Sequence, residues 1–194
     1  KETSYTEAPT LFLEFSGSEA GVKEDIATAK EITEAENCRS FQFETDSKGR
    51  ARLWEARHQA AMALMSGHPG KRLMVTDVCV PISHLTDALH HARQTIESFG
   101  LEGSILGHVG DGNYHAGFMI DPANPEDLKR AEAVNAEIVR YALERGGTCT
   151  GEHGVGMGKA KYLGAEHGEA MAVMRAIKQS LDPKNILNPG KILI

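Results

Sequence analysis

The dipeptide Asp111-Gly112 is the feature that most constrains this chain. It stands between two short apolar runs, Ile105-Leu106 and Ala116-Gly117-Phe118-Met119-Ile120. Asp-Gly in that setting predicts a two-residue β-hairpin, because the favoured turn needs positive φ at its centre. With Asp111 and Gly112 central, His108 falls directly opposite His115. Directly opposed side chains share a face, with Cβ atoms about 4.5–5.5 Å apart. Two imidazoles so placed can converge on one cation. A three-residue loop would change the pairing. The plainer reading is two histidines satisfied by ordinary hydrogen bonds. Gly110 and Gly112 read as residues that tolerate positive φ, and Asp111 as a turn residue. Asn113 fits either the turn or a hydrogen bond into the site.

The rest of the chain alternates strand and helix signals. Residues 10–15 (TLFLEF) and 40–45 (SFQFET) read as strands, the second by strict alternation. A helix is expected from about Glu19 to Ala35, and another from about Ser47 to Leu64 with Trp54 and Arg57 on it. Residues 67–70 (GHPG) are a turn. Residues 73–80 form the next strand, closed by Pro81, and Ser83 is a candidate N-cap for a helix with Leu85, Leu89, Ala92, Ile96 and Phe99 on one face. Gly100 or Gly103 stops it. Asn124-Pro125-Glu126-Asp127 is a helix start, with a cap, a proline at the first helical position and acids at the positive end of the dipole. That helix runs to Gly146-Gly147, and a last one spans about Glu166 to Leu181. Hairpins mixed with crossover helices predict an α+β domain. Its sheet is mixed or antiparallel with helices packed on one face, and ferredoxin-like is the nearest template.

Residues 151–159 (GEHGVGMGK) invite a phosphate-loop reading and fail it. The first glycine of that motif would fall on His153, and Ala160 stands where Ser or Thr belongs. The dinucleotide pattern begun at Gly154 would need glycine where Lys159 stands. What remains is a loop with a carboxylate, Glu152, beside an imidazole, His153. A two-histidine, one-carboxylate set leaves open positions on a divalent cation, and a spare histidine nearby suits a general base. Without such a cation the pair is a solvated loop. The three cysteines, Cys38, Cys79 and Cys149, form no C-x-x-C pair and no disulfide framework. Any metal therefore relies on histidine and carboxylate.

The net charge of −6 argues against nucleic-acid binding. No apolar run is long enough to span a bilayer. The chain starts at Lys1 rather than Met, so it is expected to begin inside a longer polypeptide.

Three motifs in order resemble a known family. They are H-x-G-D-G-N-x-H at 108–115, G-E-H-G-x-G at 151–156 and N-P-G-K at 188–191. Together they resemble the C-terminal cap domain of the FAD-linked oxidases, the group of D-lactate dehydrogenase, the glycolate oxidase D subunit and D-2-hydroxyglutarate dehydrogenase. Residues 53–58 (LWEARH) and 76–81 (TDVCVP) look most like the cytochrome-type D-lactate dehydrogenase branch. The resemblance implies a single cap domain over 1–194, with the N-terminal FAD-binding domain of the same protein as its partner. It implies that His108, His115 and Glu152 hold a divalent metal, of Zn or Mn/Fe type. It implies His153 as the base for the substrate hydroxyl and Arg57 as the partner of the substrate carboxylate. A guanidinium suits that role by making two parallel hydrogen bonds. Asn188 and Lys191 are expected near FAD. The resemblance implies a small D-2-hydroxy acid as substrate, and the fragment alone is expected to be inactive. Ala61 replaces a threonine found in some relatives, and Lys71 and Arg72 do not match a family substrate lysine, which argues against a dicarboxylate.

The implied location is the cytoplasm or the inner face of a respiratory membrane, mitochondrial in a eukaryote. The electron acceptor and a homodimer stay open. Two other classes remain on the residues alone: a metal-dependent hydrolase that uses the same ligands on a bound water, and a non-catalytic interaction module.

Overall fold

The structure is a computed structural model and describes residues 8–193. Residues 1–7 and 194 of the expected single domain lie outside the described residues. Contacts divide the chain into two compact units, Lys1–Gly67 and His68–Ile194.

The first unit is helical. Helix α1 spans Glu19–Ala35, with Ser18 accepting the Gly21 amide as its cap. Helix α2 spans Ser47–His58, capped by Asp46, which accepts the Lys48 and Gly49 amides. Helix α3 spans Ala60–Ser66. The expected single helix over 47–64 is thus broken at Gln59. The strands expected at 10–15 and 40–45 are not formed. Alternation satisfies one face of a strand but supplies no partner for its ladder. Phe12 instead lies against Trp54, with ring centroids 6.2 Å apart, and Glu14 pairs with Arg50 at 3.5 Å.

The second unit holds a three-stranded antiparallel sheet in the order β1-β3-β2. Strand β1 is Arg72–Cys79, β2 is Glu102–His108 and β3 is Asn113–Ile120. Helix α4, Leu85–Ser98, crosses from β1 to β2, and β3 returns between them. Ser83 does not cap α4. It lies inside a single 3-10 turn, Ile82–His84, that leads straight into the helix. Helix α5, Pro125–Leu143, follows β3 and begins where its capping sequence predicts, with Asn124 accepting the Glu126 amide. This is a ferredoxin-like β-α-β-β-α path. The fourth strand is reduced to one antiparallel bridge, Cys79 to Thr148, on the free edge of β1. The expected helix over 166–181 is two helices, α6 at Leu163–His167 and α7 at Ala170–Leu181. Gly168 breaks them at φ +52, a conformation that an L side chain rarely adopts.

Register separates the two faces of the sheet. Thr76 pairs with Ala116 and Val78 with Tyr114, and this face packs beneath α4 and α5. Val78, Ala88, Ala92, Tyr114, Phe118, Val134 and Ile138 form its fully enclosed centre. Because side chains alternate, Asp77, His115, Asn113 and His108 all point to the opposite face, away from α4 and α5.

Candidate metal centre

The hairpin departs from the two-residue turn. Strand β2 pairs with β3 so that His108 faces Asn113 and Leu106 faces His115. The connection is a 3-10 turn over Val109–Asp111 closed by Gly112 in the left-handed region, φ +74. His108 and His115 are therefore diagonal neighbours rather than direct ones. Diagonal residues still share a face and lie within reach of long side chains. Their rings stand 6.2 Å apart, edge to face. Gly110, expected at positive φ, does not adopt it; only Gly112 of the pair does.

Glu152 completes the cluster from the second loop. Its Oε1 lies 2.8 Å from His115 Nε2 and 3.7 Å from His108 Nε2. The possible donor atoms of His108, His115 and Glu152 all lie within 4.8 Å of one another. The ring of His153 stacks on that of His115, with centroids 4.7 Å apart, and its Nε2 is 3.9 Å from Glu152 Oε1. His115 is mostly covered, while His108, Glu152 and His153 remain about half exposed. Burial, aided by the nearby His153, lowers the His115 pKa against the opposing pull of Asp77 and Glu152. The neutral imidazole is the form that binds a metal. An open cavity of about 380 Å³ adjoins the cluster, lined in part by His108, Asn113, Gly151 and Glu152.

Asp77, in the sequence a member of a strand and of the 76–81 stretch with no role of its own, is the residue the site is built around. It pairs across the sheet with His115 and is 1% exposed. One carboxylate oxygen, Oδ2, accepts the backbone amides of Gly151, Glu152 and His153 at 2.8, 2.9 and 2.9 Å, and the Thr150 hydroxyl at 3.1 Å. The other, Oδ1, accepts Asn113 Nδ2 at 2.7 Å and lies 3.4 Å from His115 Nδ1. Burial pushes this carboxyl up, but the hydrogen bonds led by the His153 amide outweigh it and hold the pKa at about 2. Asn113 therefore serves the site through Asp77 and donates also to the Val78 carbonyl. A Cβ on Gly151 would fall 1.6 Å from Asn113 Nδ2, so only glycine allows the loop to lie this close. The ammonium of Lys159 donates to the Asp77 carbonyl, and burial lowers its pKa. The signal that could have found Asp77 was an acid on a strand with no side-chain partner in sequence, since a buried charge has to be satisfied somewhere.

The remaining candidates come from other segments of the chain. Arg57 is in the last turn of α2, in the first unit. Asn188, at φ +51, and Lys191 belong to the irregular segment after α7, which the Ile192 amide ties to the Gly156 carbonyl at 2.8 Å. All three cysteines are free thiols, as expected. Burial pushes the Cys149 thiol up to about 12 and raises that of Cys79. No helix among the described residues is long and apolar enough to cross a membrane.

Comparison with known proteins matches residues 1–192 to the family described as FAD linked oxidases, C-terminal domain. The chain is 44% identical over 191 residues to a probable mitochondrial D-lactate dehydrogenase of Danio rerio, covering 98% of this chain and 38% of that protein. It is 42% identical to a mitochondrial D-lactate dehydrogenase [cytochrome] of Arabidopsis thaliana, over 97% of this chain and 33% of that protein. It is 34% identical to the glycolate oxidase subunit GlcD of Bacillus subtilis, over 94% of this chain and 38% of that protein. The chain thus spans well under half the length of these relatives. Among solved structures, 4-ethylphenol oxidase from Gulosibacter chungangensis shares the fold, with a TM-score of 0.63 at 18% identity over 91% of this chain and 37% of that one.

Proposed function

As a member of the C-terminal domain family of the FAD-linked oxidases, this chain is, we propose, the substrate- and metal-binding domain of a flavin-dependent D-2-hydroxyacid dehydrogenase. D-lactate is the favoured substrate. The support is the naming of its relatives as D-lactate dehydrogenases and glycolate oxidase subunits. The observation that carries the site assignment is the grouping of His108, His115 and Glu152, whose donor atoms lie within 4.8 Å of one another on the face of the sheet away from α4 and α5.

The donor set fits a divalent cation. Ligand atoms about 2.0–2.2 Å from a common metal lie about 3–3.5 Å from one another; the two separations to Glu152 Oε1, 2.8 and 3.7 Å, bracket that range, and all three donors lie within 4.8 Å of one another. Two neutral imidazoles and a carboxylate suit zinc, manganese or iron. Bound there, the cation would act as a Lewis acid toward the hydroxyl and carboxylate oxygens of the substrate, and the flavin of the preceding domain would accept hydride.

This chain's own residues bind the acid and move its proton. His153 stands beside the ligand cluster, half exposed, and its imidazole is assigned to take the hydroxyl proton. Arg57 is assigned to the substrate carboxylate by bidentate pairing. Asn188 and Lys191 are assigned to the approach of the flavin. Residues 1–194 act in this reading as one cap domain beside the FAD-binding domain of the same protein. The naming of the animal and plant relatives as mitochondrial supports the same compartment for the whole protein in a eukaryote.

The test is D-lactate oxidation by the full-length flavoprotein. His153→Ala is expected to lower kcat by 10²-fold or more, with metal content unchanged. His115→Ala is expected to lose both metal and activity. Undiminished turnover in His153→Ala removes that residue from its role, and retained metal in His115→Ala removes the site.

A further inference from the structure

The geometry points to Asp77 as the positioning residue that assembles the metal centre, setting the Glu152-His153 loop with one carboxylate oxygen and the ring of His115 with the other. The inference rests on the metal reading above and extends it to a residue that touches neither metal nor substrate. Three consecutive backbone amides, from Gly151 to His153, converge on Oδ2. Successive amides aimed at one anion form a concave nest, and here the anion is a side chain of the facing strand. Fixing those amides fixes the Cα positions from which Glu152 and His153 project. Oδ1, held by Asn113, lies 3.4 Å from His115 Nδ1. That nitrogen is buried and has no hydrogen-bond partner. A histidine that ligates through one nitrogen commonly donates from the other to a carboxylate, which sets its tautomer and orientation. With Nδ1 turned to Asp77, Nε2 is the nitrogen left facing Glu152.

The surroundings allow no substitute for a carboxylate. Every hydrogen bond to the carboxylate comes from a donor, Asn113 Nδ2 on one oxygen and the Thr150 hydroxyl and three amides on the other, and His115 Nδ1 stands 3.4 Å from the first. An asparagine at 77 would have the same shape, but its NH₂ would confront a donor whichever way it turned. The fold explains why a side chain is needed. In a complete ferredoxin-like sheet a fourth strand would continue along β1. Here the strand stops after one bridge at Thr148, and the amides that would have entered a ladder are gathered by Asp77 instead.

The test uses the complete flavoprotein, stripped of metal with a chelator, with Zn²⁺ alone as the probe. Hydrogen exchange in the metal-free wild type is expected to show protection of the 151–153 amides. Asp77→Asn is expected to lose that protection while the amides of β3 and α5 keep theirs. Its affinity for Zn²⁺ is expected to fall 10–100-fold. A Zn²⁺ affinity within twofold of wild type overturns the proposal. So does open-loop exchange of the 151–153 amides in the wild type, an outcome that decides even if Asp77→Asn fails to fold. Absence of Zn²⁺ uptake by the wild type itself overturns the metal reading and this inference's metal half together. The exchange result then still judges whether Asp77 holds the loop.

Discussion

At the scale of single residues, the candidate site divides into what side-chain identity reveals and what only the backbone reveals. His108, His115, Glu152 and His153 are legible because their types and glycine-flanked spacing point to one chemistry. Asp77 is not, because its partners are backbone amides 74 to 76 positions away, and every residue but proline carries one. Its ionisation gives a pH prediction. The folded carboxyl titrates at about 2 against an ordinary value of 3.8, so between those values the unfolded chain binds more protons. The stabilisation is complete above about pH 4 and is lost as pH falls through 2; it amounts to about 2 kcal/mol. Acid denaturation of the wild type is expected to steepen across that window, and Asp77→Asn, less stable at pH 7, is expected to flatten it. Equal slopes for the two proteins would contradict the assignment. Gly151 gives a second prediction at this scale. The added methyl of Gly151→Ala would overlap Asn113 and crowd Asp77 Oδ1, so a loss of about 1–3 kcal/mol is expected in a denaturant melt, together with weakened Zn²⁺ binding. An unchanged melt would mean that the loop sits farther from β1.

At the scale of elements, local signals located the start of α1 and the cap and start of α5, while helix breaks, turn length and long-range pairing were less legible. The start of α5 follows from its cap and proline, and α1 matches its predicted span, because these rules act within a few residues. Residues 10–15 and 40–45 carry strand-like patterns, yet a ladder needs a partner that no local pattern encodes. The hairpin shows the same limit at close range. Asp-Gly marked the turn, but the chain takes a longer 3-10 connection, and the register shifts His108 onto Asn113. The shift keeps both histidines on one face only because it moves the register by two, an even number. The turn yields a paired prediction. Gly112 is at φ +74, with a would-be Cβ 2.0 Å from the Val80 carbonyl oxygen, whereas Gly110 has open space. Gly112→Ala is expected to cost more than about 2 kcal/mol in thermal unfolding, and Gly110→Ala to fall within about 0.5 kcal/mol of wild type. Similar melts for the two variants would refute the left-handed assignment.

At the scale of the whole molecule, the placement of the candidate ligands bears on how the protein is divided. His108 and His115 come from β2 and β3, Asp77 from β1, and Glu152 and His153 from the loop beyond α5. All belong to the second unit, His68–Ile194, and so do the sheet and its core against α4 and α5. Arg57 belongs to the first. If metal binding and substrate-carboxylate binding are divided in this way, they should separate on cutting the chain. A fragment of residues 68–194 buries its own core, so it is expected to unfold cooperatively on its own, as single domains of this size do. It is expected to take up one Zn²⁺ per chain, with affinity close to that of the full-length protein, and to show neither flavin absorbance nor D-lactate oxidation. Arg57→Ala in the full-length protein is expected to keep its metal while KM for D-lactate rises at least tenfold, since a lost bidentate ion pair weakens binding of the carboxylate. A folded fragment that takes up no Zn²⁺, while the full-length protein does, would show that a ligand comes from outside residues 68–194. An unchanged KM in Arg57→Ala would send the search for the carboxylate's partner to the cavity beside Glu152.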